Sequence, residues 1–306
     1  MLNILRAIGS TPLVRLEKLS SPNSAPVFVK LEFYNPTGSY KDRMALAMIE
    51  AAEARGDLRP GMSVLECTGG STGTSLAFVC AAKGFALRVI SSDAYAKEKL
   101  DSMRAFGAEL LIEPSRGGAV TPDLWPRMFA RAEALRHEPG VYYTDQFRNK
   151  DAQSGYANIG HEIVQSLAHV DAFCGMVGTA GMLMGVGRVL RERDSEVRIV
   201  ALEPATSAVL SGKPAGAHHV DGTGAGFVPP QFDRSVAREV RALDEAKGRD
   251  MARRLAREEG IFGGTSTGMN VAAALDLALE LGPSGVVVTV ACDTGLKYLS
   301  GDLFSR

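Results

Sequence analysis

Short runs that are apolar at nearly every position alternate along this chain with longer stretches of helical character. Val27-Phe28-Val29-Lys30-Leu31 predicts a strand, and Arg43 to Arg55, closed by Gly56, a helix. Met62 to Glu66 predicts a strand, Thr74 to Lys83 a buried helix ended by Gly84, Leu87 to Ser91 a strand and Lys97 to Phe106 a helix. Leu110-Leu111-Ile112, the helix Asp123 to Arg136 and Val141-Tyr142-Tyr143 repeat the pattern. It resumes with the strand Ala172 to Val177, the helix Met182 to Glu192, the strand Val197 to Leu202, the helices Arg249 to Glu258 and Gly268 to Leu281, and the strand Val286 to Val290. Strands without a polar face, separated by helices, predict parallel sheets covered on both sides. The strands are too many for one comfortable sheet. The expected fold is therefore α/β with two domains, each a mostly parallel twisted sheet covered by helices. Ligands of such folds sit at the carboxyl ends of strands, beside helix N-termini. The sequence has no heptads, internal repeats or low-complexity tracts. The loop Ser211 to Phe232, rich in Gly, Pro and His, is long enough to imply function or mobility.

Composition narrows the class. The chain has 306 residues, 45% of them hydrophobic, and a net charge of -1. That is ample for a sizeable core, and the balanced charge gives no reason to expect nucleic acid or an anionic membrane as partner. No apolar run approaches the roughly 18 residues of a spanning helix. Met1 to Arg6 lacks the basic start, apolar core and cleavage site of a signal peptide. Cys67, Cys80, Cys174 and Cys292 are scattered, with no Cys-x-x-Cys pair, and read as buried free thiols in a reducing compartment. A cytoplasmic globular protein is expected.

The chemistry centres on Lys41, in Asn35-Pro36-Thr37-Gly38-Ser39-Tyr40-Lys41-Asp42-Arg43. The Asn-Pro-x-Gly turn breaks the chain, and Ser39 can cap a helix with Asp42 as its capping-box partner. Lys41 then falls in the first helical turn, where the helix dipole disfavours an ammonium and suits an amine that is neutral or tied up as an imine. A lone lysine is ordinarily a solvated surface residue, but three loops join this one. Glu66-Cys67-Thr68-Gly69-Gly70-Ser71-Thr72-Gly73 follows a strand, opens a helix and can converge backbone N–H groups on an anion. It lacks the Gly-Lys-Ser/Thr ending of a nucleotide-binding P-loop. Gly178-Thr179-Ala180-Gly181-Met182 is a second anion cradle. The order of elements there, with Glu203 after the next strand, fits a dinucleotide site. The glycine spacing does not, because Ala180 and Leu183 stand where glycines should. Ala291-Cys292-Asp293-Thr294-Gly295 ends the strongest C-terminal strand and can point a hydroxyl into a cleft.

In this order the four segments resemble the fold-type II pyridoxal-phosphate enzymes, and within them the cysteine synthase and cystathionine β-synthase family. The similarity spans nearly the whole chain. It includes Gly9-Ser10-Thr11-Pro12-Leu13, Asp145-Gln146-Phe147-Arg148-Asn149, Glu203-Pro204, Gly222-Thr223-Gly224-Ala225-Gly226-Phe227 and Glu259-Gly260-Ile261-Phe262-Gly263-Gly264. The resemblance implies a tryptophan-synthase-β-like fold, with residues 43–146 as a smaller mobile domain that closes on substrate and residues 1–42 with 147–306 anchoring pyridoxal 5'-phosphate. It implies that Lys41 forms the Schiff base and later removes the substrate α-proton. Gly178, Thr179, Ala180, Gly181 and Met182 would hold the phosphate, and Thr294 would face the pyridine nitrogen. Thr68, Gly69, Gly70, Ser71, Thr72 and Gln146 would hold the amino-acid carboxylate, with Ser71 also near the cofactor. No metal is implied.

Two departures from the family pattern bear on the site. Ser71 stands where the family has an Asn that bonds the cofactor's 3-oxygen, and Ala180 and Met182 replace Gly and Thr of Gly-Thr-Gly-Gly-Thr. Lys150-Asp151-Ala152-Gln153 also replaces the usual Pro-Ala-Asn-Pro. The implied function is β-replacement on an activated serine, with O-acetylserine and a sulfur nucleophile, sulfide, giving cysteine in a homodimeric enzyme. Cystathionine β-synthase, O-phosphoserine sulfhydrylase, cysteine desulfhydrase and 2,3-diaminopropionate synthase activities remain open. So does a catalytically silent cofactor-binding homologue with a protein partner, against which the intact Lys41 argues.

Overall fold

The structure, a computed structural model, describes residues 3–118, 121 and 123–305. Met1 and Leu2, part of the N-terminal stretch read above, lie outside them. The chain forms two compact units. One is Lys41–Gly155 with the N-terminal stretch ending at Ile8, and the other is Gly9–Tyr40 with Tyr156–Arg306.

In chain order the elements are β1 (Leu13–Arg15), β2 (Val27–Leu31), α1 (Lys41–Arg55), β3 (Ser63–Cys67), α2 (Ser71–Lys83), β4 (Ala86–Ser92), α3 (Lys97–Ala105), β5 (Glu109–Glu113), α4 (Leu124–Leu135) and β6 (Val141–Tyr143). Then come α5 (Asp151–Ser166), β7 (Ala172–Met176), α6 (Gly181–Arg193), β8 (Arg198–Pro204), β9 (Glu239–Leu243), α7 (Glu245–Arg254), α8 (Thr265–Leu281) and β10 (Val287–Ala291). The first unit holds a four-stranded parallel sheet in the order β5-β4-β3-β6. The second holds a six-stranded sheet, β1-β2-β10-β7-β8-β9, parallel except for β1, which runs antiparallel to β2 at the edge. The two parallel-sheet domains covered by helices match the expected α/β class.

Three elements are absent from the sequence-based list: β1, β9 and the sixteen-residue α5. Gly155 and Gly160 weaken α5 as a sequence signal, since glycine costs a helix interior about 1 kcal/mol. Packing explains both. A Cβ at Gly155 would lie 2.3 Å from the Arg43 carbonyl oxygen, and one at Gly160 2.8 Å from Val189 Cβ.

The larger sheet is held by an apolar layer in which Val27, Val29, Cys174, Val200, Leu202 and Val287 meet Met269 and Leu277 of α8. Each such buried aliphatic side chain contributes roughly 1.5–3 kcal/mol. Between β7 and β10 the registered pairing stops after Ala172–Val287 and Phe173–Val288. Side chains satisfy the backbone beyond it. Asn270, fully buried, accepts from Met176 N–H at 2.7 Å and donates to the Val290 carbonyl at 2.8 Å. The Thr289 hydroxyl donates to the Cys174 carbonyl at 2.8 Å. The carboxyl ends of β7 and β10, which lead into the second and third loops, are thus parted by side chains instead of closed by a ladder.

Candidate active site

The turn before Lys41 is set by a buried polar network. Gly38 N–H donates to the Asn35 carbonyl at 2.7 Å, and Gly38 has a φ of +71°. A side chain there would also meet Thr294 Cγ2 at 2.7 Å, so glycine is required twice over. Asn35 Nδ2 donates to the Glu32 carbonyl at 2.7 Å and to its carboxylate at 2.9 Å, while Asn35 Oδ1 accepts from Gly9 N–H at 2.9 Å. The same Glu32 carboxylate accepts from the Thr11 hydroxyl at 2.5 Å. Lys30 pairs with Glu162 at 2.6 Å and donates to the Thr11 carbonyl. The opening Gly-Ser-Thr-Pro-Leu stretch and the Asn-Pro-Thr-Gly turn are therefore parts of one scaffold.

Beyond the turn, Thr294 N–H donates to the Gly38 carbonyl and Tyr40 N–H to the Cys292 carbonyl, both at 3.0 Å, with Ser39 bridged antiparallel to Asp293. Lys41, buried, follows as the first residue of α1. The helix starts one residue later than a Ser39 cap requires, and Ser39 lies in a strand-like bridge before it.

Thr294 Oγ1 accepts from Leu296 N–H at 3.3 Å, capping the short turn Gly295–Tyr298. That contact uses a lone pair and leaves the hydroxyl proton to be donated. The Asp293 carboxylate accepts from the Tyr298 hydroxyl at 2.8 Å. Burial, then the Asp293 charge, pushes the Tyr298 phenol well above its ordinary value. Tyr40, beside Lys41 in sequence, is pushed up likewise by burial, then by Cys292 and Asp293.

The loop after β7 approaches other backbone closely. A Cβ at Gly178 would lie 2.1 Å from the Gly222 carbonyl oxygen, and Gly224 N–H donates to the Val177 carbonyl at 3.1 Å. The long Gly-rich segment thus lies directly on the cradle. Ala180, with a φ of +68°, occupies the left-handed region that suits glycine. The bonds of α6 begin with Met184 N–H to the Ala180 carbonyl at 3.0 Å, so the N–H groups of Gly181, Met182 and Leu183 precede its ladder. The Met182 side chain packs toward Gly175 of β7, where an added Cβ would meet its Cε at 2.7 Å, so only its backbone faces the loop. Thr179 is buried. Tyr156, fully buried, lies against Gly181 and against the ring of Tyr40, with centroids 5.3 Å apart. Glu203 accepts from Leu210 N–H at 2.7 Å, Ser211 N–H at 3.0 Å and the Ser211 hydroxyl at 2.5 Å. It anchors a loop, which removes the acid a dinucleotide ribose would need.

In the other unit, Thr68, Gly69 and Gly70 join β3 to α2, which starts at Ser71. Gly70 N–H donates to the Thr68 hydroxyl at 3.2 Å. The Tyr95 ring covers Gly69, where an added Cβ would fall 2.2 Å away, and Met103 covers Gly73 at 2.7 Å. The Thr72 hydroxyl donates to Gln146 Oε1 at 2.7 Å, and Gln146 Nε2 donates to the Cys67 carbonyl at 3.1 Å. Thr68, Thr72 and Gln146 are buried. Glu66 lies at the end of β3, fully buried, and burial pushes its carboxyl up to about 7. Tyr95 and Tyr156 were not legible as site residues, because only their packing distinguishes them. All four cysteines are free and buried. Among the described residues no metal-binding cluster occurs, and no helix is long and apolar enough to cross a membrane.

A cradle closed to a Cβ at Gly178, a helix start with N–H groups outside its ladder and a donating hydroxyl on the neighbouring strand end fit a phosphate-bearing aromatic cofactor. Together with the two parallel sheets they define an α/β enzyme of the cofactor-dependent kind. The chain belongs to the family described as "Pyridoxal-phosphate dependent enzyme", whose model matches residues 4–293, and its cofactor is pyridoxal phosphate. It is 40% identical over 309 residues to a cysteine synthase of Staphylococcus aureus, covering 99% of this chain and 97% of that protein. It is also 40% identical over 306 residues to the O-ureido-L-serine synthase of Streptomyces lavendulae, covering 99% and 92%. Among solved structures, O-acetyl serine sulfhydrylase isoform 3 from Entamoeba histolytica matches with a TM-score of 0.93 at 35% identity, covering 99% of this chain and 91% of that one.

Proposed function

We propose that the enzyme is a cysteine synthase, converting O-acetylserine and sulfide to cysteine and acetate. The observation that carries this reading is Lys41, the opening residue of α1 directly after a turn clamped to the Thr294 strand end, in a chain so similar to a cysteine synthase. Bound pyridoxal phosphate supplies an electron sink that acidifies the α-carbon of an amino acid. Lys41 Nζ would hold the cofactor covalently and would serve as the base that takes the α-proton of the amino acid. The N–H groups of Gly178 to Met182, with the Thr179 hydroxyl, bind the phosphate. Thr294 donates to the ring nitrogen without protonating it, which favours prompt loss of a β-leaving group over transamination. Thr68, Gly69, Gly70, Ser71, Thr72 and Gln146 bind the substrate carboxylate. Acetate would depart with the electron pair of its bond to the β-carbon, hydrosulfide would form the new C–S bond there, and Lys41 would return the proton to the α-carbon.

Residues 43–146 act as the closing domain and residues 1–42 with 147–306 as the anchor, so that substrate binding excludes water. The enzyme works as a cytoplasmic homodimer. Its balanced charge and free thiols support the compartment, and exposed Tyr34, Leu296 and Leu299 support a second copy.

One other reading has a specific observation behind it. The relative named O-ureido-L-serine synthase is as similar as the cysteine synthase, which favours an oxygen nucleophile at the same β-carbon. A product assay decides between them. O-acetylserine, O-phosphoserine, serine and cysteine are each supplied with sulfide, homocysteine or hydroxyurea. Cysteine from O-acetylserine and sulfide as the dominant product is expected, and its absence overturns the proposal. Borohydride reduction and peptide mapping should label Lys41 alone, and label on Lys30, Lys97 or Lys297 would overturn its role.

A further inference from the structure

Glu66 has no part in the chemistry above, yet it lies immediately before the loop that reads the carboxylate. Its side chain is fully buried, and it takes part in no ion pair among the described residues. Three donors converge on it. Cys67 N–H reaches Oε1 at 2.7 Å, and the Thr144 hydroxyl and Gln146 N–H reach Oε2 at 2.7 and 3.2 Å. The same Gln146 accepts from Thr72 and donates to the Cys67 carbonyl, so it ties the first turn of α2 to the end of β3. Glu66 therefore sets the position of two groups that frame the loop from Thr68 to Thr72.

Thr144 gives this network two settings. Its hydroxyl lies 2.7 Å from the Glu66 carboxylate and 3.0 Å from the Leu65 carbonyl. With Glu66 charged, the hydroxyl donates to the carboxylate. With Glu66 protonated, the carboxyl proton is donated to Thr144 Oγ1, and the hydroxyl turns to Leu65. Both settings keep every partner satisfied, so the proton can come and go without unfolding the strand end. We propose that Glu66 is a positioning residue of the carboxylate loop and that amino-acid binding is coupled to its protonation. This rests on the carboxylate-binding role given above to residues 68–72 and Gln146.

The sign follows from charge. A substrate carboxylate brought onto the loop repels a charged Glu66 in a poorly solvated site, so the anionic ligand favours the neutral acid. Among the other titratable groups around Glu66, one acid acts in the same direction. Asp145 raises it, and the Cys67 and Tyr143 groups beside it are themselves raised and stay neutral. Glu113 bears on Cys67, Arg148 pairs with Asp145 at 3.4 Å, Lys99 lies against Gly70 of the loop, and Arg136 lies over the Tyr143 ring at 5.5 Å. Binding accordingly takes up a proton, and affinity falls as pH rises through the neutral range.

The test uses the holoenzyme and L-alanine, which has the carboxylate and amine of a substrate but no leaving group on its β-carbon. Calorimetric titrations at several pH values, in buffers of different ionisation enthalpy, give both the Kd and the protons taken up. Glu66→Gln keeps the shape and the acceptor but cannot titrate. Between pH 6 and pH 8 the Kd of the wild type is expected to weaken about fivefold more than that of Glu66→Gln, with extra proton uptake in the wild type only. Thr144→Val provides a second variant that keeps the acid. Removing a donor to the charged form should move the midpoint of the Kd profile to higher pH. Equal pH slopes and equal proton uptake in wild type and Glu66→Gln, or an unmoved midpoint in Thr144→Val, overturn the inference while leaving the carboxylate site intact. Failure of L-alanine to bind the wild type at any pH overturns both.

Discussion

The backbone N–H of Thr294 donates to the carbonyl of Gly38, three residues before Lys41. One hydrogen bond thus ties the residue assigned to the cofactor ring nitrogen to the turn that delivers the assigned cofactor lysine. A methyl group on Gly38 meets Thr294 Cγ2 at 2.7 Å and must also adopt a φ of +71°. Gly38→Ala should therefore cost about 2 kcal/mol of stability and lower the fraction of enzyme that retains cofactor on dialysis. Full cofactor occupancy and an unchanged Tm would show that this register does not matter.

The proposed phosphate cradle makes a paired prediction. Gly178→Ala drives a Cβ to 2.1 Å from backbone, whereas Gly181→Ala meets a tyrosine ring at 3.3 Å. Backbone cannot move aside as a ring can. Equilibrium dialysis should show cofactor affinity falling at least about tenfold for Gly178→Ala and much less for Gly181→Ala. The reverse order would place the phosphate elsewhere.

Ala180 holds a left-handed conformation that costs an L-residue roughly 1 kcal/mol. Ala180→Gly relieves that strain, partly offset by the entropy of glycine in the unfolded chain. Thermal melts of the cofactor-free protein should show a small rise in Tm. A fall would mean that the methyl, which is buried, contributes more by packing than the strain costs.

Thr294→Asp places a charge where a neutral hydroxyl stands. A carboxylate beside the ring nitrogen would favour its protonation and slow β-elimination, which acetate release from O-acetylserine measures. An unchanged rate would show that Thr294 does not face the ring.

Glu66 makes stability depend on pH. Its carboxyl is raised from 4.5 to about 7 in the folded chain. Its contribution is fully present below about pH 4.5 and is lost as pH rises through about 7, because the unfolded chain then releases a proton that the folded one retains. By pH 8 the loss is on the order of 3 kcal/mol. Urea unfolding at pH 5 and pH 8 should show this fall in the wild type and a smaller one in Glu66→Gln. Parallel behaviour would mean that Glu66 stays charged throughout.

The loops were legible because Gly and Thr between a strand and a helix advertise convergent N–H groups, and because Lys41 follows a turn that only Asn, Pro and Gly would build. The helix from Asp151 was not legible, because its glycines answer to Arg43 and Val189, distant in sequence. Nor was Glu66. A glutamate closing a strand reads as a surface charge, and only the burial of its surroundings makes it a titrating group. The bridge that holds Ser39 was not legible for a related reason. The pairing with Asp293 that fixes the helix start involves a residue more than two hundred positions away.

In the larger sheet β10, the last strand of the chain, lies between β2, near the start, and β7. During synthesis β2 must therefore wait, unpaired on that side, until Val287 to Ala291 have emerged. The segment Cys292–Thr294, which grips Gly38 and Tyr40, arrives just after them. Residues 41–155 face no such delay, since their four strands are contiguous and can assemble on their own schedule. A nascent chain that ends before Val287 would thus hold the four-stranded sheet complete and the turn before Lys41 still without its partner strand end.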